Sequence, residues 1–570
     1  MKRYNQNNVT IVGSLKIYWS LVVLLCSISF SVNAQQHDLP KILSDKSTKS
    51  ENYLPDFSYA GYHFSEIEIP TASKNTVVNI QDFVAIPNDG IDDSKAVLKA
   101  VKVAHETKGA VVLQFPAGRF IISDILYITR SNITLRGAGS GLGGTTLYYP
   151  RPLKFFSDPP ELKELREYLV ELNKIQKEKE NNLALPFSQY AWSGGMIWTM
   201  VPGERVKSYL DTYDKAPVVL TKLVDGNRGE HELKVASVEK IKVGDVVQIQ
   251  WFNKEGENGS FLSNLYDNND LKALKVGSHH WKYPNHALVS QKVLITHIKG
   301  KKIQIKDPLL HDIKKAWTPI MAEWKHLEEV GIEHFNIEFP MAANIAHHVE
   351  DGYNAMYLTR LYNGWVKDVQ IKNADSGILT EEISNVTIQD IETNGLKKAH
   401  YSVAMGSVHN VLVQNLVVQN KVTHPLSFNT MATKSVYKDC KVYQDPILDQ
   451  HSGANHQNLF DQIEVWVTLD ENKFEYPLFG GGGASYWKPS HGAFSTFWNI
   501  RVNFTNYHDN DKVVTINGMK DGAAVRLIGV YGNKKIDIDY NPSPYIEAKN
   551  VRLIHIPSLF NYQLLARNKK

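Results

Sequence analysis

The chain has 570 residues, of which 43% are hydrophobic and 22% are charged, a composition typical of a globular protein with several domains or one long repeat fold. Its 63 basic and 60 acidic residues leave a formal net charge of only +3. Without a general basic surplus to neutralise phosphates, nucleic acid is not an expected partner.

Residues 1–34 have the pattern of an export signal. Basic residues precede an apolar run at 17–30, and the small residue Ala34 closes the segment. This order predicts a signal peptide cleaved after Ala34 and a secreted or periplasmic protein, whereas a membrane anchor is disfavoured because the run is short for a span. Residues 35–74 then form an N-terminal extension. Cleavage leaves Cys440 as the single cysteine, which excludes an intramolecular disulfide.

Residues 75–146 are predicted to cap and begin a stacked β-fold. Asp93 and Ser94 are good helix N-cap residues. The helix that they would start, 94–106, carries an apolar stripe that can cover the open end of a stack of strands. The stripe consists of Ala96, Val97, Ala100, Val103 and Ala104.

Residues 147–325 interrupt this pattern. A charged helix with a leucine stripe is predicted from Ser157 to residue 181. Residues 215–312 then alternate between apolar and polar side chains in short runs, as antiparallel strands do. We therefore expect an inserted α+β region, made of a helix and a small β-rich subdomain, that can form one wall of a substrate groove.

Residues 326–570 repeat one short pattern: an apolar residue, any residue, Asp or Asn, and another apolar residue. Successive polar positions are 32, 22, 25, 24 and 22 residues apart, which is typical of single coils of a parallel β-solenoid. Leucine-rich repeats have similar periods, but their leucine framework is absent and β-branched residues dominate. The polar positions are Asn336, Asp368, Asp390, Asn415, Asp439 and Asp461, with a looser continuation at Asn499, Gly529 and His555.

The stretch 78–139 carries a family resemblance. With its turns at 88–93 and 115–118 and its strand at 131–135, it resembles the N-terminal cap and first coils of the pectate-lyase superfamily. The resemblance implies an all-β, right-handed parallel β-helix over most of residues 75–560, with an N-terminal capping helix. Because this superfamily mostly handles polysaccharides, it also implies an acidic polysaccharide or oligosaccharide as the partner. We expect a monomer that is not inserted in a membrane after signal cleavage.

The sequence LDQHSGANHQNLFD, from Leu448 to Asp461, has the composition of a polar groove loop. Loops of successive solenoid coils form a shallow groove that suits a chain molecule, and an acidic sugar chain can be cleaved there by β-elimination. This reaction needs a base of near-neutral pKa, for which histidine is best suited, and an acid for the leaving oxygen. We predict His451 and His456 as base and acid in either order, with Asp449 orienting one imidazole.

β-Elimination also requires neutralisation of the uronate carboxylate, because the proton beside it is removed and an enolate develops. His424 and Lys434 lie one coil earlier, and Asn458 lies in the same polar loop. These three residues are predicted to bind the carboxylate, and Arg360 is a weaker candidate for the same role.

Two aromatic residues complete the predicted substrate site. Tyr401 belongs to a row of cations, imidazoles and phenols that recurs along one side of the coils. Trp487 follows a glycine-rich loop, from which it can stack on the face of a sugar ring.

A metal site is one alternative to metal-free chemistry. His-x4-His with Asp can bind zinc, and acidic clusters can hold calcium. No compact acidic cluster stands out, so we expect no cofactor, with a divalent cation such as calcium as the alternative. The adjacent pairs His279–His280 and His347–His348 are expected to point apart as strand neighbours.

Three other functions stay open. Glycoside hydrolysis needs two carboxylates across the scissile bond, and residues 373–377 only partly match the polygalacturonase pattern. A dehydratase would eliminate water from an oligosaccharide without shortening it, and a non-catalytic β-helix would only bind glycans. The sequence favours a carbon–oxygen lyase for a uronate-containing polysaccharide such as ulvan or alginate, although any single histidine could also serve only to bond the backbone of a turn.

Overall fold

The computed structural model describes residues 39–44, 53–71, 76–156, 187–204, 216–343, 346–451, 453–506 and 512–569. The predicted signal peptide and the predicted helix from Ser157 lie outside the described residues. Within the ranges given, no helix is both long enough and apolar enough to cross a membrane.

The protein is a parallel β-helix, which confirms the fold predicted from the repeats. Its long sheet contains 18 strands and pairs them in parallel. Val366 pairs with Ile388 and Ile388 with Val413, so buried apolar side chains stack in rows from coil to coil. The strands are Thr76–Asn79, Val111–Gln114, Gly118–Ile121, Ile133–Arg136, Thr145–Tyr148, Val330–Glu338, Trp365–Lys372, Thr387–Asn394, Leu412–Val418, Val436–Lys438, Lys441–Val442, Leu459–Asp461, Glu464–Val467, Thr496–Trp498, Arg501–Phe504, Arg526–Ile528, Tyr531–Gly532 and Tyr545–Glu547.

A second parallel sheet, which we call the site sheet, runs beside the first through the same coils. It has eight strands, and its parallel pairing continues without a break from the first to the last. The strands are Leu126–Ile128, Ile197–Thr199, Asn354–Thr359, Ser376–Glu381, Ala399–Met405, Val422–Asn429, Leu448–His451 and Phe479–Gly480.

Shorter elements complete the coils. A two-stranded sheet pairs Leu327–Glu328 with Leu361–Tyr362, and a three-stranded sheet contains Glu475–Tyr476, Val514–Gly522 and Ile536–Pro542. Within the described residues, the α-helices are Ser94–Glu106, Ser260–Leu265, His279–Lys282 and Leu559–Asn568. The 3₁₀ helices are Lys41–Leu43, Tyr62–Ser65, Ile80–Phe83, Leu153–Phe155, Gln189–Ala191, Gly256–Asn258, Lys315–Trp317 and Ser485–Trp487.

The repeated Asp or Asn of the sequence marks a corner in the long sheet. Asp368, Asp390, Asn415 and Asp439 have φ between 53° and 56°, a left-handed conformation that Asp and Asn tolerate better than most residues. Each corner turns the chain between two strand segments of one coil, which explains why the pattern has the period of a coil.

Three repeat positions differ from the sequence prediction. In the first coil of the series, the left-handed residue is His334, with φ of 67°, instead of Asn336. In a later coil it is Gln462, with φ of 54°, instead of Asp461. The looser continuation also stops early, because His555 lies outside any strand.

Asp461 instead holds the C-terminal helix Leu559–Asn568. Its carboxylate accepts hydrogen bonds from the Ser558 hydroxyl at 2.6 Å and from the Leu559 and Phe560 backbone N–H groups at 3.0 Å. Leu559 and Phe560 are buried there, so the helix packs on the coils at the start of its first turn.

The helix Ser94–Glu106 buries Val97, Ala100, Val101 and Ala104. Val103, which the sequence placed in the stripe, is 39% exposed. The side chain of Asp93, at the N-cap position, makes no capping hydrogen bond.

An antiparallel barrel, which we call the inserted barrel, interrupts the coils. It consists of Val219–Asp225, Glu232–Val235, Val246–Trp251, Val289–Lys299, Lys302–Ile305 and Ile320–Ala322. Asp307 Oδ2 lies 2.9 Å from His409 Nε2, and Lys292 Nζ lies 3.1 Å from Glu382 Oε2. This buried hydrogen bond and this buried ion pair fasten the inserted barrel to the turns of the β-helix.

Candidate active site

Five histidines converge at the site sheet. This histidine cluster consists of His347, His348, His400, His424 and His451. Three of them come from consecutive strands, whose register pairs Tyr401 with His424 and Asn429 with His451. The first two lie in the loop before Asn354–Thr359. Ring centroids are 5.8 Å apart for His347 and His424, 5.5 Å for His400 and His424, and 4.7 Å for His424 and His451.

The Asp449 carboxylate connects two members of the cluster. Its Oδ2 lies 3.0 Å from His451 Nδ1 and 3.2 Å from His424 Nδ1, and it accepts a hydrogen bond from the Ser427 hydroxyl at 2.6 Å. An Nδ1–H directed at the carboxylate leaves the lone pair of the His451 ring on Nε2. The carboxylate can therefore set the tautomer and the orientation of His451, whereas His424 Nδ1 lies near it without hydrogen-bond geometry.

The other three histidines lie beside Glu350. His347 Nε2 is 2.9 Å from His400 Nε2, and His400 Nδ1 is 3.2 Å from Glu350 Oε1. The ring centroids of His347 and His348 are 3.6 Å apart. His348 Nδ1 and Glu350 Oε2 are buried without a hydrogen-bond partner among the described residues. This half of the cluster thus holds more polar atoms than its own contacts satisfy.

Burial sets the charge state of the cluster. It lowers the pKa of His348 to about 3 and lowers the pKa of His424, so both rings are neutral at pH 7. Burial opposes ionisation of Asp449, but the adjacent His424 and His451 outweigh it and hold the pKa of Asp449 well below its usual range. Burial raises the pKa of Glu350.

The rings are more accessible than the carboxylate that holds them. The side chains of His424 and His451 are 12% and 14% exposed, whereas that of Asp449 is 1% exposed. A substrate can therefore reach the exposed parts of these two side chains but not Asp449, and both ring nitrogens of His424 are buried. Tyr401 stacks on His400 and His424 with centroid distances of 4.1 Å and 5.1 Å, which fixes both rings from one side.

A cavity of about 30 Å³, which has room for only a water molecule or two, adjoins the cluster along the site sheet. Its lining includes Tyr401, Asn429 and Trp192, and the Trp192 ring centroid lies 4.8 Å from that of His348. The positive charge of Lys398 acts on His400 and His424. An aromatic face and a cation beside neutral imidazoles are features that suit an acidic sugar.

The glycine-rich stretch 480–483 lies directly against the cluster. A Cβ atom at Gly482 would overlap the His451 ring, so only glycine lets the backbone approach this close. Lys488 Nζ donates hydrogen bonds to the carbonyl oxygens of Gly481 and Gly482 at 3.0 Å and 3.1 Å. The stretch therefore forms a fixed wall behind His451.

His456 does not join the histidine cluster, which corrects the predicted pairing of His451 with His456. Its Nε2 lies 2.8 Å from Nε2 of His311 in the inserted barrel, and its Nδ1 donates to the Ala454 carbonyl oxygen at 2.8 Å. The chain turns between the two predicted partners, where Gly453 and Ala454 have φ of 67° and 63°. Five residues of separation therefore place the two histidines on different faces of the coil.

Two more predicted site residues, Lys434 and Asn458, lie in the turns beneath the inserted barrel and not in the cluster. Lys434 is 3% exposed, its Nζ lies 5.7 Å from the centroid of the Phe57 ring, and burial lowers its pKa to about 8. Asn458 donates its amide to the Ala432 carbonyl oxygen at 2.9 Å and accepts from the Ser435 backbone N–H at 3.1 Å. The structure does not bring either residue to the cluster, so His424 alone of these three predicted carboxylate ligands lies there.

Arg360 and Trp487 lie apart from the cluster as well. Arg360 lines a cavity of about 220 Å³ between the inserted barrel and the coils, where its Nη2 is 3.8 Å from Glu204 Oε2. Trp487 stacks on His279 with a centroid distance of 3.4 Å and is 6% exposed. Its ring thus joins the insertion to the glycine-rich stretch and presents little surface to a sugar.

The predicted site contained only two of the five cluster histidines, His424 and His451. His347 and His348 lie in a loop and not in a strand, so their rings lie together instead of pointing apart. Glu350 was absent from the predicted site. A usable indication was present, because His347, His348, Glu350 and Asp351 crowd ionisable groups into five residues just before a coil strand.

No protein-family model matches the chain, and no curated protein sequence matches it. Among solved structures, the tailspike protein gp49 from Pseudomonas phage LKA1 is 12% identical, with a TM-score of 0.43, over 82% of this chain and 78% of that chain. An exopolygalacturonase from Thermotoga maritima is 9% identical, with a TM-score of 0.34, over 85% and 94%. A DFA-IIIase from Arthrobacter chlorophenolicus A6 is 10% identical, with a TM-score of 0.35, over 87% and 89%. Matches at this level of identity and TM-score carry no argument about activity. The activity of this protein has to be inferred from the geometry of the histidine cluster.

Proposed function

We propose that the protein is an exported, monomeric lyase that cleaves a uronate-containing polysaccharide or oligosaccharide by β-elimination. The observation that carries this proposal is the Asp449 carboxylate, which lies between Nδ1 of His424 and Nδ1 of His451. One imidazole removes the proton beside the sugar carboxylate through its Nε2 lone pair. The other, in its protonated form, gives a proton to the leaving oxygen.

Asp449 has a defined part in this reaction. It is buried and ionised, so it stabilises whichever imidazole carries the positive charge, and its hydrogen bond holds the His451 ring in place. After the products leave, a proton passes from the ring that gained one to the ring that lost one, directly or through solvent, and the site returns to its starting state.

Substrate binding is assigned to residues around the cluster. Trp192 is partly exposed beside the cluster and can face a sugar ring, whereas the predicted ligand Tyr401 is 1% exposed and stacks on His400 and His424 instead. Lys398, whose charge reaches His400 and His424, is a candidate for neutralising the uronate carboxylate. The predicted signal peptide supports export, and ulvan and alginate are the first polymers to test.

The test is a panel of uronate polysaccharides followed by near-ultraviolet absorbance and product mass. A lyase generates an unsaturated uronate that absorbs there, and we expect this product from the wild-type protein. His424→Ala and His451→Ala should each reduce the rate by about 10²- to 10⁴-fold. The matched control is His334→Ala, since His334 pairs with Asp368 at a corner of the long sheet. Absence of the unsaturated product from every uronate polymer and oligomer, or unchanged rates in both variants, would refute the proposal.

The same experiment separates the close variant of the reaction. A dehydratase forms the unsaturated sugar from oligomers without shortening them, so the product mass falls by one water and no new chain end appears. This outcome would keep the acid–base pair and change only the leaving group.

Glycoside hydrolysis is the second candidate, and one observation favours it. Burial raises the pKa of Glu350 while Asp449 stays ionised, and a carboxyl pair with such opposite shifts can act as acid and base. Asp449 is 1% exposed and already occupied by Ser427, His424 and His451, which makes it a poor nucleophile. New reducing ends without near-ultraviolet absorbance would identify this reaction.

A further inference from the structure

Three histidines of the cluster are not used by the proposed acid–base pair. His347, His348 and His400 each offer one ring nitrogen, and these three atoms lie within 4.8 Å of one another. We propose that they bind one divalent transition-metal ion, for which Zn²⁺ is the reference case, with Glu350 orienting the His400 ring. The binding is inferred from this geometry alone and does not depend on the proposed function.

The donor atoms decide the class of metal. Imidazole nitrogen suits zinc, cobalt, nickel, copper and iron, whereas calcium and magnesium take oxygen ligands. The site therefore differs from the calcium alternative considered from the sequence, which would need acidic residues. Three protein ligands also leave a coordination position open, as in catalytic zinc sites.

The distance between two of the three donor atoms is close to the one that a metal requires. Two nitrogens that both bind tetrahedral zinc at about 2.0–2.1 Å lie about 3.3 Å from each other. His347 Nε2 and His400 Nε2 are 2.9 Å apart, so the two rings need to separate by only about 0.4 Å to admit the ion. A metal would replace the hydrogen bond that two neutral rings form at this distance.

Glu350 supplies the partner that a metal-bound imidazole usually has. A histidine that binds a metal through one ring nitrogen commonly donates the other N–H to a carboxylate, which fixes its tautomer. His400 Nδ1 lies 3.2 Å from Glu350 Oε1. When Nε2 of His400 binds the ion, the ring hydrogen therefore moves to Nδ1 and faces Glu350.

Unsatisfied polar atoms point to the same site. His348 Nδ1 and Glu350 Oε2 are buried and lack a hydrogen-bond partner within the described part of the chain. Leaving buried polar atoms unpaired is costly, so native proteins rarely do so without a ligand, ion or water at the position. The His311–His456 contact under the inserted barrel has no comparable surplus, because each ring nitrogen there faces a polar atom.

The other group of cluster ligands is less suited to a metal. Asp449 Oδ2 already accepts hydrogen bonds from the Ser427 hydroxyl and from His451 Nδ1, so that carboxylate oxygen is engaged twice, and His424 Nδ1 lies 3.2 Å from it. The His424 ring lies 5.8 Å from His347 and 5.5 Å from His400. An ion bound by His347, His348 and His400 would thus lie beside the acid–base pair, where it could neutralise the uronate carboxylate. This catalytic role rests on the proposed function.

The experiment measures metal binding before activity. The full-length mature protein is stripped with a chelator and titrated with Co²⁺, Zn²⁺ or Ca²⁺, with Co²⁺ absorption reporting nitrogen coordination and calorimetry reporting stoichiometry. We expect one equivalent of Co²⁺ or Zn²⁺, no comparable Ca²⁺ binding, and a zinc-dependent rise in the thermal unfolding midpoint. His347→Ala and His400→Ala should each weaken zinc affinity by at least about 100-fold, and Glu350→Gln by about 10-fold.

The controls distinguish this site from adventitious binding. His334→Ala removes a half-exposed histidine outside the cluster and should bind metal like the wild type. His424→Ala should keep metal binding within about threefold because it leaves all three ligands and Glu350 in place. The inference is overturned if the wild-type protein binds less than one equivalent of Co²⁺ and Zn²⁺, a result that does not depend on how any variant folds. It is also overturned if folded His347→Ala and His400→Ala bind zinc as tightly as the wild type.

The two proposals can fail separately. Zinc bound by the three histidines without any unsaturated uronate product would end the lyase proposal and leave the metal site intact. Full lyase activity in the chelator-treated protein, together with failure to bind zinc, would end the metal inference and leave the acid–base pair intact.

Discussion

Two groups of buried histidines in this protein have opposite surroundings. Under the inserted barrel, the Nε2 atoms of His311 and His456 lie 2.8 Å apart. The Nδ1 atom of His311 faces the Asn264 side chain, and the Nδ1 atom of His456 faces a backbone carbonyl oxygen. In the histidine cluster, His348 Nδ1 and His424 Nε2 have no hydrogen-bond partner among the described residues. We infer that a buried histidine whose two ring nitrogens both have polar partners has a structural role. A histidine with an unpartnered ring nitrogen is instead a candidate for proton transfer or ligand binding.

The sharpest way to test this comparison is to change one carboxylate in each region. Asp449→Asn should lower kcat on the uronate substrate by about 10³-fold, because an amide oxygen carries no charge with which to stabilise a protonated imidazole beside it. The thermal midpoint should stay within a few degrees of wild type. Steady-state kinetics and thermal unfolding measure the two effects.

The matched change in the other region is Asp307→Asn, since Asp307 binds His409 and Gln291 where the inserted barrel docks. This variant should lose stability and keep its activity per folded molecule. If Asp449→Asn retained more than a tenth of wild-type kcat, the proposed catalytic role of the histidine cluster would be wrong.

The next largest effect is expected for His456→Ala. It removes a fully buried ring and leaves His311 Nε2 without its partner, which should lower the free energy of unfolding by about 3 kcal/mol. The kcat of the folded protein should stay within about twofold of wild type. Denaturant unfolding and kinetics at a temperature where the variant is folded provide the measurement.

A double-mutant cycle serves as the control for that change. Because His311 and His456 are each other's partner, the cost of changing both to Ala should be clearly smaller than the two single costs added together. Strictly additive costs, or a loss of kcat comparable with that of His451→Ala, would show that this pair is not the structural contact described here.

The pH dependence of stability provides a third test. Burial lowers the pKa of His456 from 6.5 to about 4, so the unfolded chain binds a proton below pH 6.5 while the folded protein does not until about pH 4. The stability from this neutral ring is therefore complete above pH 6.5 and is lost as the pH falls toward 4, by up to about 3 kcal/mol. Unfolding measured between pH 7 and 4.5 should show a shallower slope for His456→Gln than for wild type, and equal slopes would contradict this explanation.

The smallest effect is expected at the wall of the cluster. Gly482→Ala places a methyl group where the His451 ring lies, which should displace the ring and lower kcat about tenfold without changing any ionisable group. Gly141→Ala is the control, because a Cβ atom at Gly141 meets nothing within 4 Å. Equal kinetics for both variants would show that the position of His451 does not limit the reaction.

Part of the candidate site was predictable from the sequence. His424, Asp449 and His451 belong to adjacent coils, and a parallel register stacks such residues in the order in which the chain presents them. His347, His348 and Glu350 were not predictable in the same way, because they lie in a loop outside the repeat, where no periodicity states which way a side chain points.

The sequence by itself determined that coils stack, because a corner in each coil requires a residue that accepts a left-handed backbone, and the recurring Asp and Asn at 368, 390, 415 and 439 are such residues. Only the tertiary structure decided which face each histidine occupies. Two positive-φ residues between His451 and His456 redirect the chain within one turn, and the inserted barrel then covers His456 and leaves His451 accessible. The number of residues between two histidines does not predict such a change of direction. The direction of a side chain depends on the backbone dihedral angles of the turn and on what packs against it.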